Sequence, residues 1–215
     1  MNNKKKMPTS TISRLFIYFR ELDKLEKLSI RTISSSELGE RVNLSGTQVR
    51  KDLGYFGQFG VSGSGYDVSE LKEVLKKILG KDKVWNVAIV GVGHLGSALL
   101  AYSGFDRHGL NIVAAFDADP KKIGKNFANI TIRSIEDIKQ EVKKKKISLS
   151  IITVPGNRAQ EVADVLVGSG VESILNFAPI SLNVPDNVKV KEVDLSRELE
   201  TLSYFLADKN GNNKK

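Results

Sequence analysis

The chain has no cysteine, and its 215 residues include only two histidines and one tryptophan. Without thiols there is no disulfide framework, no thiolate metal site and no thiol-based redox switch, so any redox sensing must use a bound cofactor. No run of about 18 apolar residues occurs, which argues against a membrane-spanning helix. Residues 1–6 are basic, but the apolar stretch of a signal peptide does not follow. The expectation is a cytoplasmic chain with no membrane association and no metal.

What the chain has in excess is positive charge, a formal +8, and it is unevenly placed. Residues 1–83 carry 16 lysines and arginines against 10 acidic residues, whereas the remainder carries 17 against 15. A basic N-terminal third suits an acidic polymer, nucleic acid first, because neutralised phosphates release counterions. The competing reading is a generally basic surface.

In that third, Ile12, Leu15, Phe16, Phe19, Leu22, Leu25 and Leu28 recur at intervals of three and four, predicting an amphipathic helix that opens near Pro8. Ser34 followed by Glu37 predicts a capping box, with Leu38 and Val42 on a short second helix ending near Asn43. Ser45 followed by Gln48 predicts a second box, and a third helix through Tyr55 with Val49 and Leu53 inward. Gln48, Arg50 and Lys51 then face outward. Two short helices with a tight turn, the second polar and then basic, is how a helix-turn-helix presents its recognition helix to a major groove. Arg and Gln can pair with guanine and adenine edges, while Ser45 and Lys51 suit phosphates; Thr47 and Tyr55 complete the candidate DNA-binding set. The alternative is a solvated helix face.

Beyond that helix, Gly54, Gly57, Gly60, Gly63 and Gly65 alternate with Tyr55, Phe56, Phe59 and Tyr66, predicting a hairpin wing. Leu71, Val74, Leu75, Ile78 and Leu79 mark a fourth helix ended by Gly80, and residues 80–83 are the expected linker.

Residues 84–90 form a near-continuous apolar run, as in a parallel strand buried on both faces. The run leads into Gly91-Val92-Gly93-His94-Leu95-Gly96 and a helical segment at 97–102. A second apolar strand, 111–116, ends at Asp117, 21 residues after Gly96. A Gly-x-Gly-x-x-Gly between strand and helix, with an acidic residue about 20 positions on, is the dinucleotide-binding fingerprint. Gly91 would make the turn, Gly93 admit the pyrophosphate and Gly96 allow helix and strand to pack closely. Asp117 would hold the adenosine ribose and repel a 2′-phosphate, favouring NADH and NAD+ over the phosphorylated pair. The alternative is a glycine turn with no ligand.

Helices near 134–145 and 157–167 and strands at 147–153, 173–176 and 189–193 extend the alternation into a doubly wound sheet. Thr153, Val154 and Pro155, and Asn176, Phe177, Ala178 and Pro179, fall at C-terminal strand ends, where open sheets of this kind bind ligands; they are the expected lining of the nicotinamide end. The lysines at 143–146 read as a solvated helix face. A last helix carries Leu195, Leu199, Leu202, Phe205 and Leu206 on one side, to be covered by its own domain or by a second subunit, with a polar tail from 208. An NAD-dependent oxidoreductase with a basic N-terminal appendage is the alternative function. It leaves no domain for a substrate, and neither His94 nor His108 has an evident acid/base partner, so no catalytic residue is assigned. A nucleotide-binding adaptor without DNA contact is the third class.

Several segments together resemble the Rex family of redox-sensing transcriptional repressors. They are Arg50-Lys51-Asp52-Leu53 with Tyr55-Phe56-Gly57, Gly65-Tyr66-Asp67-Val68, the 91–96 loop, Phe116-Asp117-Ala118-Asp119-Pro120, and Ser173-Ile174-Leu175-Asn176-Phe177-Ala178-Pro179. The resemblance spans nearly the whole chain. It implies an α/β architecture with an N-terminal winged helix-turn-helix (1–80), a Rossmann-like doubly wound parallel sheet (84–193) and a C-terminal helix (194–207) swapped onto a partner. It further implies a homodimer that binds double-stranded, inverted-repeat operator DNA and lets go when NADH binds, so reading the NADH/NAD+ ratio. Arg20, Tyr102 and the partner subunit's Asp194 are the implied polar switch. In one respect the chain departs from the family: Ser62 stands in the wing, Gly60-Val61-Ser62-Gly63, where members often carry Lys or Arg. DNA affinity should therefore lean on the third helix and on the 4–6 lysine arm.

Overall fold

The computed structural model describes residues 7–57, 59 and 65–212, with side chains to 207. The lysine arm at 4–6 and the wing residues Gly60, Val61, Ser62 and Gly63 lie outside the described residues. The chain forms two compact units, Met1–Lys83 and Val84–Lys215. Among the described residues no helix is long and apolar enough to cross a membrane.

In the first unit, α1 (Thr9–Lys27), α2 (Ser35–Arg41), α3 (Gly46–Leu53) and α4 (Val68–Ile78) surround one core. The buried face of α1 runs through Thr11, Leu15, Tyr18, Leu22 and Leu25, while Ile12, Phe16 and Leu28 are exposed. Leu15, Leu22 and Leu25 of the predicted stripe are thus buried and Phe19 packs partly against the core, but the buried face also takes in Thr11 and Tyr18, the largest fully buried side chain, in place of Ile12, Phe16 and Leu28. Ser34 and Glu37 close a full capping box on α2. At α3 only half of the predicted box forms: Ser45 accepts from the Gln48 N–H, but the Gln48 side chain turns to Asp52 instead.

The predicted wing is revised only at its start, since most of residues 58–64 lie outside the described residues. Gly54–Phe56 continues α3 as a 3-10 turn, and Phe56 and Phe59 pack partly against the core. Tyr66 sits on β2 (Tyr66–Asp67), which pairs antiparallel with β1 (Thr32–Ile33), a two-residue strand too short to show in the sequence.

In the second unit, a seven-stranded sheet runs in the order β5-β6-β4-β3-β7-β8-β9. The strands are β3 (Trp85–Val90), β4 (Leu110–Asp117), β5 (Asn126–Phe127), β6 (Ile130–Ser134), β7 (Leu149–Ile152), β8 (Ser173–Asn176) and β9 (Lys189–Glu192). All pairings are parallel except the β5–β6 edge hairpin, which the sequence reading missed. Ala88 and Val90 enter the core on one face and Val87 and Ile89 that on the other, which is why β3 reads as an unbroken apolar run. From β3 the chain builds outward through β4 and β6, then crosses back to β7 on the other flank. A crevice opens at the C-terminal ends of the strands where the order reverses.

The helices of this unit are α5 (His94–Leu100), α6 (Ile138–Lys145), α7 (Gly156–Gly168) and α8 (Leu195–Asn212). Helix α5 begins three residues before the predicted start, so His94 opens the helix. A 3-10 turn, Ile135–Asp137, precedes α6. The helical backbone of α8 runs past the expected polar boundary at 208.

Candidate functional site

The loop after β3 is shaped by three glycines for different reasons. Gly91 has φ +97, a conformation L side chains rarely adopt, and a Cβ there would press on the Thr153 backbone. A Cβ on Gly96 would overlap the Gly91 carbonyl oxygen, so α5 approaches β3 only because that position is bare. Gly93 needs neither excuse. Its φ of −83 suits any residue, and a Cβ would meet nothing within 4 Å. Protein packing does not require a glycine here; the open space above the backbone fits a phosphate approaching the N–H groups at the start of α5. Thr153 Oγ1 donates to the Gly91 carbonyl at 2.6 Å and locks the loop to the end of β7.

Asp117, the last residue of β4, is 8% exposed. Its Oδ2 accepts from the Val92 N–H (2.8 Å) and Lys122 Nζ (2.9 Å), and its Oδ1 from the Asp119 N–H (2.9 Å). Burial alone would raise this carboxyl, but hydrogen bonds from Asp119, Lys122 and Val92 outweigh it and hold the group below the usual carboxylate range. With about four lone-pair sites on a carboxylate, one remains for a ribose hydroxyl.

These groups line a cleft of about 670 Å³. Of the predicted cofactor-binding residues it brings together Gly91, Gly93, Asp117, Thr153 and Pro155. Val154, expected beside Thr153 and Pro155, lines it as well, whereas the reading from sequence missed Lys122, Ile135, Glu136, Arg158 and Val162. Lys122 had a signal in the Asp-Pro-Lys-Lys turn after β4; the others come from elements whose facing sides only the packing decides. Outside this cleft, Val92 is buried, and His94 and Leu95 are exposed on the first turn of α5. Asn176 is fully buried at the end of β8: its Oδ1 accepts from the Ala178 N–H, and its Nδ2 donates to the Ala178 and Ile180 carbonyls. Its side chain is committed to shaping the turn that carries Phe177, Ala178 and Pro179.

On the first unit, Thr47, Arg50, Lys51 and Tyr55 are exposed along α3 and its 3-10 extension, and Ser45 caps the helix. The Arg50 guanidinium folds back to Thr47 Oγ1 (3.1 Å) and Ser35 Oγ, bonds it must exchange to reach a base. Gln48 is half-buried and donates to Asp52 Oδ1 at 2.9 Å.

Of the implied switch residues, Arg20 is exposed on α1, in the first unit. Tyr102 and Asp194 belong to the second: Tyr102 is 56% exposed and stacks edge-on with Phe105, and Asp194 Oδ1 caps α8 through the N–H groups of Ser196 and Arg197. Leu195, Leu199, Leu202, Phe205 and Leu206 are all more than half exposed on α8. Among the described residues no cluster of three or more His, Asp or Glu side chains is arranged to hold a metal.

Residues 82–180 match the family model described as "CoA binding domain", and residues 6–54 the one described as "Putative DNA-binding protein N-terminus". The chain is 48% identical over 202 residues to the redox-sensing transcriptional repressor Rex of Desulforamulus reducens, covering 94% of this chain and 96% of that protein. It is 46% identical over 204 residues to Rex of Pelotomaculum thermopropionicum, covering 95% and 96%. The crystal structure of RSP in complex with β-NAD+ and operator DNA matches with a TM-score of 0.92 at 39% identity, over 97% of this chain and 96% of that one. RSP with β-NADH matches at a TM-score of 0.86 and 37% identity, over 98% of each chain. Identity at this level across nearly the full length of both partners in each comparison means that the chain belongs to the Rex family of redox-sensing transcriptional repressors.

Proposed function

We propose that the chain is a cytoplasmic, homodimeric repressor that binds inverted-repeat operator DNA through α3 and releases it when NADH occupies the cleft of the second unit. The observation that carries this reading is the bare Gly93 over open space, within a loop whose other two glycines serve packing, in a chain of this family. Gly93 admits the pyrophosphate, the N-terminal turn of α5 faces it with free N–H groups, and Asp117 accepts from the adenosine ribose. A bound dinucleotide supplies the nicotinamide whose redox state is read. The titratable groups among the residues lining the cleft are Asp117, Lys122, Glu136, Arg158 and Glu161; a sensor is favoured over an oxidoreductase by membership of a family of transcriptional repressors.

The test is fluorescence anisotropy of a labelled AT-rich inverted-repeat duplex at fixed salt, titrated with NADH and separately with NAD+. Release by NADH at concentrations where NAD+ leaves the complex intact is the expected outcome. A chain that binds no duplex in either cofactor state sends the reading back to the oxidoreductase.

Arg50→Ala should cost about 1–3 kcal/mol of operator affinity and relax specificity at one base pair. Lys51→Ala should weaken all sequences alike and reduce the salt slope by about one. Calorimetric titration should find NADH binding unchanged in both; unaltered DNA affinity would remove α3 from the interface. Helix α8 is assigned to the partner subunit, because its apolar stripe stays exposed on a single chain. Truncation after Val193 should convert the dimer to monomer by light scattering, and a stable truncated dimer would reject the swap.

A further inference from the structure

The buried carboxylate of Asp52 on α3 accepts from five donor atoms. Asp52 is 1% exposed and accepts from Arg14 Nε (2.6 Å) and Nη2 (2.7 Å), Tyr18 OH (2.8 Å), Thr11 Oγ1 (3.4 Å) and Gln48 Nε2 (2.9 Å). The first four bonds come from α1 and hold the carboxylate in place. The fifth goes to a neighbour one turn earlier on α3 itself, half-buried at the start of the helix.

We infer that Asp52 is a positioning residue for operator specificity: without touching DNA, it fixes which way round the Gln48 amide faces the base edges. This rests on the proposed DNA-binding role of α3. A free glutamine can present its carbonyl and amino groups in either order, and pays rotamer entropy when one order is selected. An ionised carboxylate only accepts, so Asp52 takes the amino group and rejects the flipped amide, whose carbonyl oxygen would face a buried anion. The remaining amide N–H and the carbonyl oxygen are then set in one order, as bidentate recognition of a base requires. The geometry also keeps the group ionised: burial acts to raise the Asp52 carboxyl, but bonds from Arg14, Tyr18 and Gln48 bring it below the usual range.

The experiment uses the full chain and the duplex that the wild type selects from a random library, with its single-base-pair variants and a scrambled duplex, by anisotropy at fixed salt without NADH. Gln48→Ala identifies the base pair that Gln48 reads. Asp52→Asn, which offers an N–H as well as a carbonyl, should reduce discrimination at that same pair about tenfold while changing scrambled-duplex affinity less than about twofold; in the Gln48→Ala background it should change that discrimination no further. Equal losses on selected and scrambled duplexes, or an undiminished effect in the Gln48→Ala background, would overturn the inference. A second measurement needs no variant. In the free wild-type protein, the Gln48 side-chain amide should be as rigid as the backbone by 15N relaxation, with an order parameter of about 0.8. A freely rotating amide overturns the inference even if Asp52→Asn fails to fold. A wild type that binds no duplex removes the DNA-binding reading and this inference with it, whereas operator binding with uniform Asp52→Asn losses removes this inference alone.

Discussion

Gly96→Ala should abolish measurable NADH binding, a loss of at least about 100-fold, and destabilise the second unit by about 1–3 kcal/mol or more. The added Cβ falls on the Gly91 carbonyl oxygen, which is backbone already locked by Thr153, so the loop itself must move. Gly93→Ala is the informative contrast. Its Cβ meets no protein atom, so its thermal midpoint should correspond to within about 1 kcal/mol of wild type, the difference between Gly and Ala at an N-cap. Its NADH affinity should nonetheless fall steeply, because the methyl would occupy the space proposed for the pyrophosphate. Calorimetric titration and thermal melts read the two effects separately, and a Gly93→Ala protein that binds NADH as wild type does would reject the cradle.

The second large effect is at Asp52. Asp52→Ala removes the acceptor for Arg14, Tyr18 and Gln48 at once. Losing one partner of a buried ion pair costs about 3–5 kcal/mol; Arg14 is 22% exposed and can reach water, which places the cost near the lower end. The pH dependence of the wild type follows from the same network. The folded Asp52 carboxyl lies below its ordinary value of 3.8, so its contribution is fully present above that pH and is lost as pH falls through the depressed value. Tyr18 is pushed the other way, by burial first and then by its bond to Asp52. Its contribution is full below its ordinary value of 10.0 and fades as pH rises beyond it. First-unit stability owed to this network should be flat between these limits. Melts from pH 3 to 11, followed by circular dichroism with NADH added to move the second unit's transition away, check this. A variant as stable as wild type would reject the role assigned to Asp52.

Much of the architecture was legible because the signals are local or periodic. Ser34 and Glu37 lie within one turn, so their capping box needs no tertiary context. The residues of β3 read as buried on both faces because both of its faces are covered. The glycine loop and Asp117 were legible by spacing, since strand, turn and helix geometry set the distance between them. Other features were not. The edges of the α1 stripe differ, with Thr11 and Tyr18 buried and Ile12, Phe16 and Leu28 exposed, and the Gln48 side chain serves Asp52 rather than the expected cap, because periodicity gives a face but not the angle at which neighbours meet it. The β5–β6 hairpin escaped notice because its strands are short and its turn, at Ala128 and Asn129 with φ of +47 and +63, lacks glycine.

By itself, then, the sequence determined the two kinds of unit, the order of their elements and the glycine loop with its acidic partner, all products of interactions that act within a few residues or repeat along the chain. Only the tertiary structure decided that Asp52 joins Arg14 across 38 positions, that Asn176 shapes a turn, and that Lys122 and the Val162 face of α7 complete the cleft. Those outcomes depend on which buried polar groups find partners when helices pack, and a buried charge takes whichever donors the fold brings within reach.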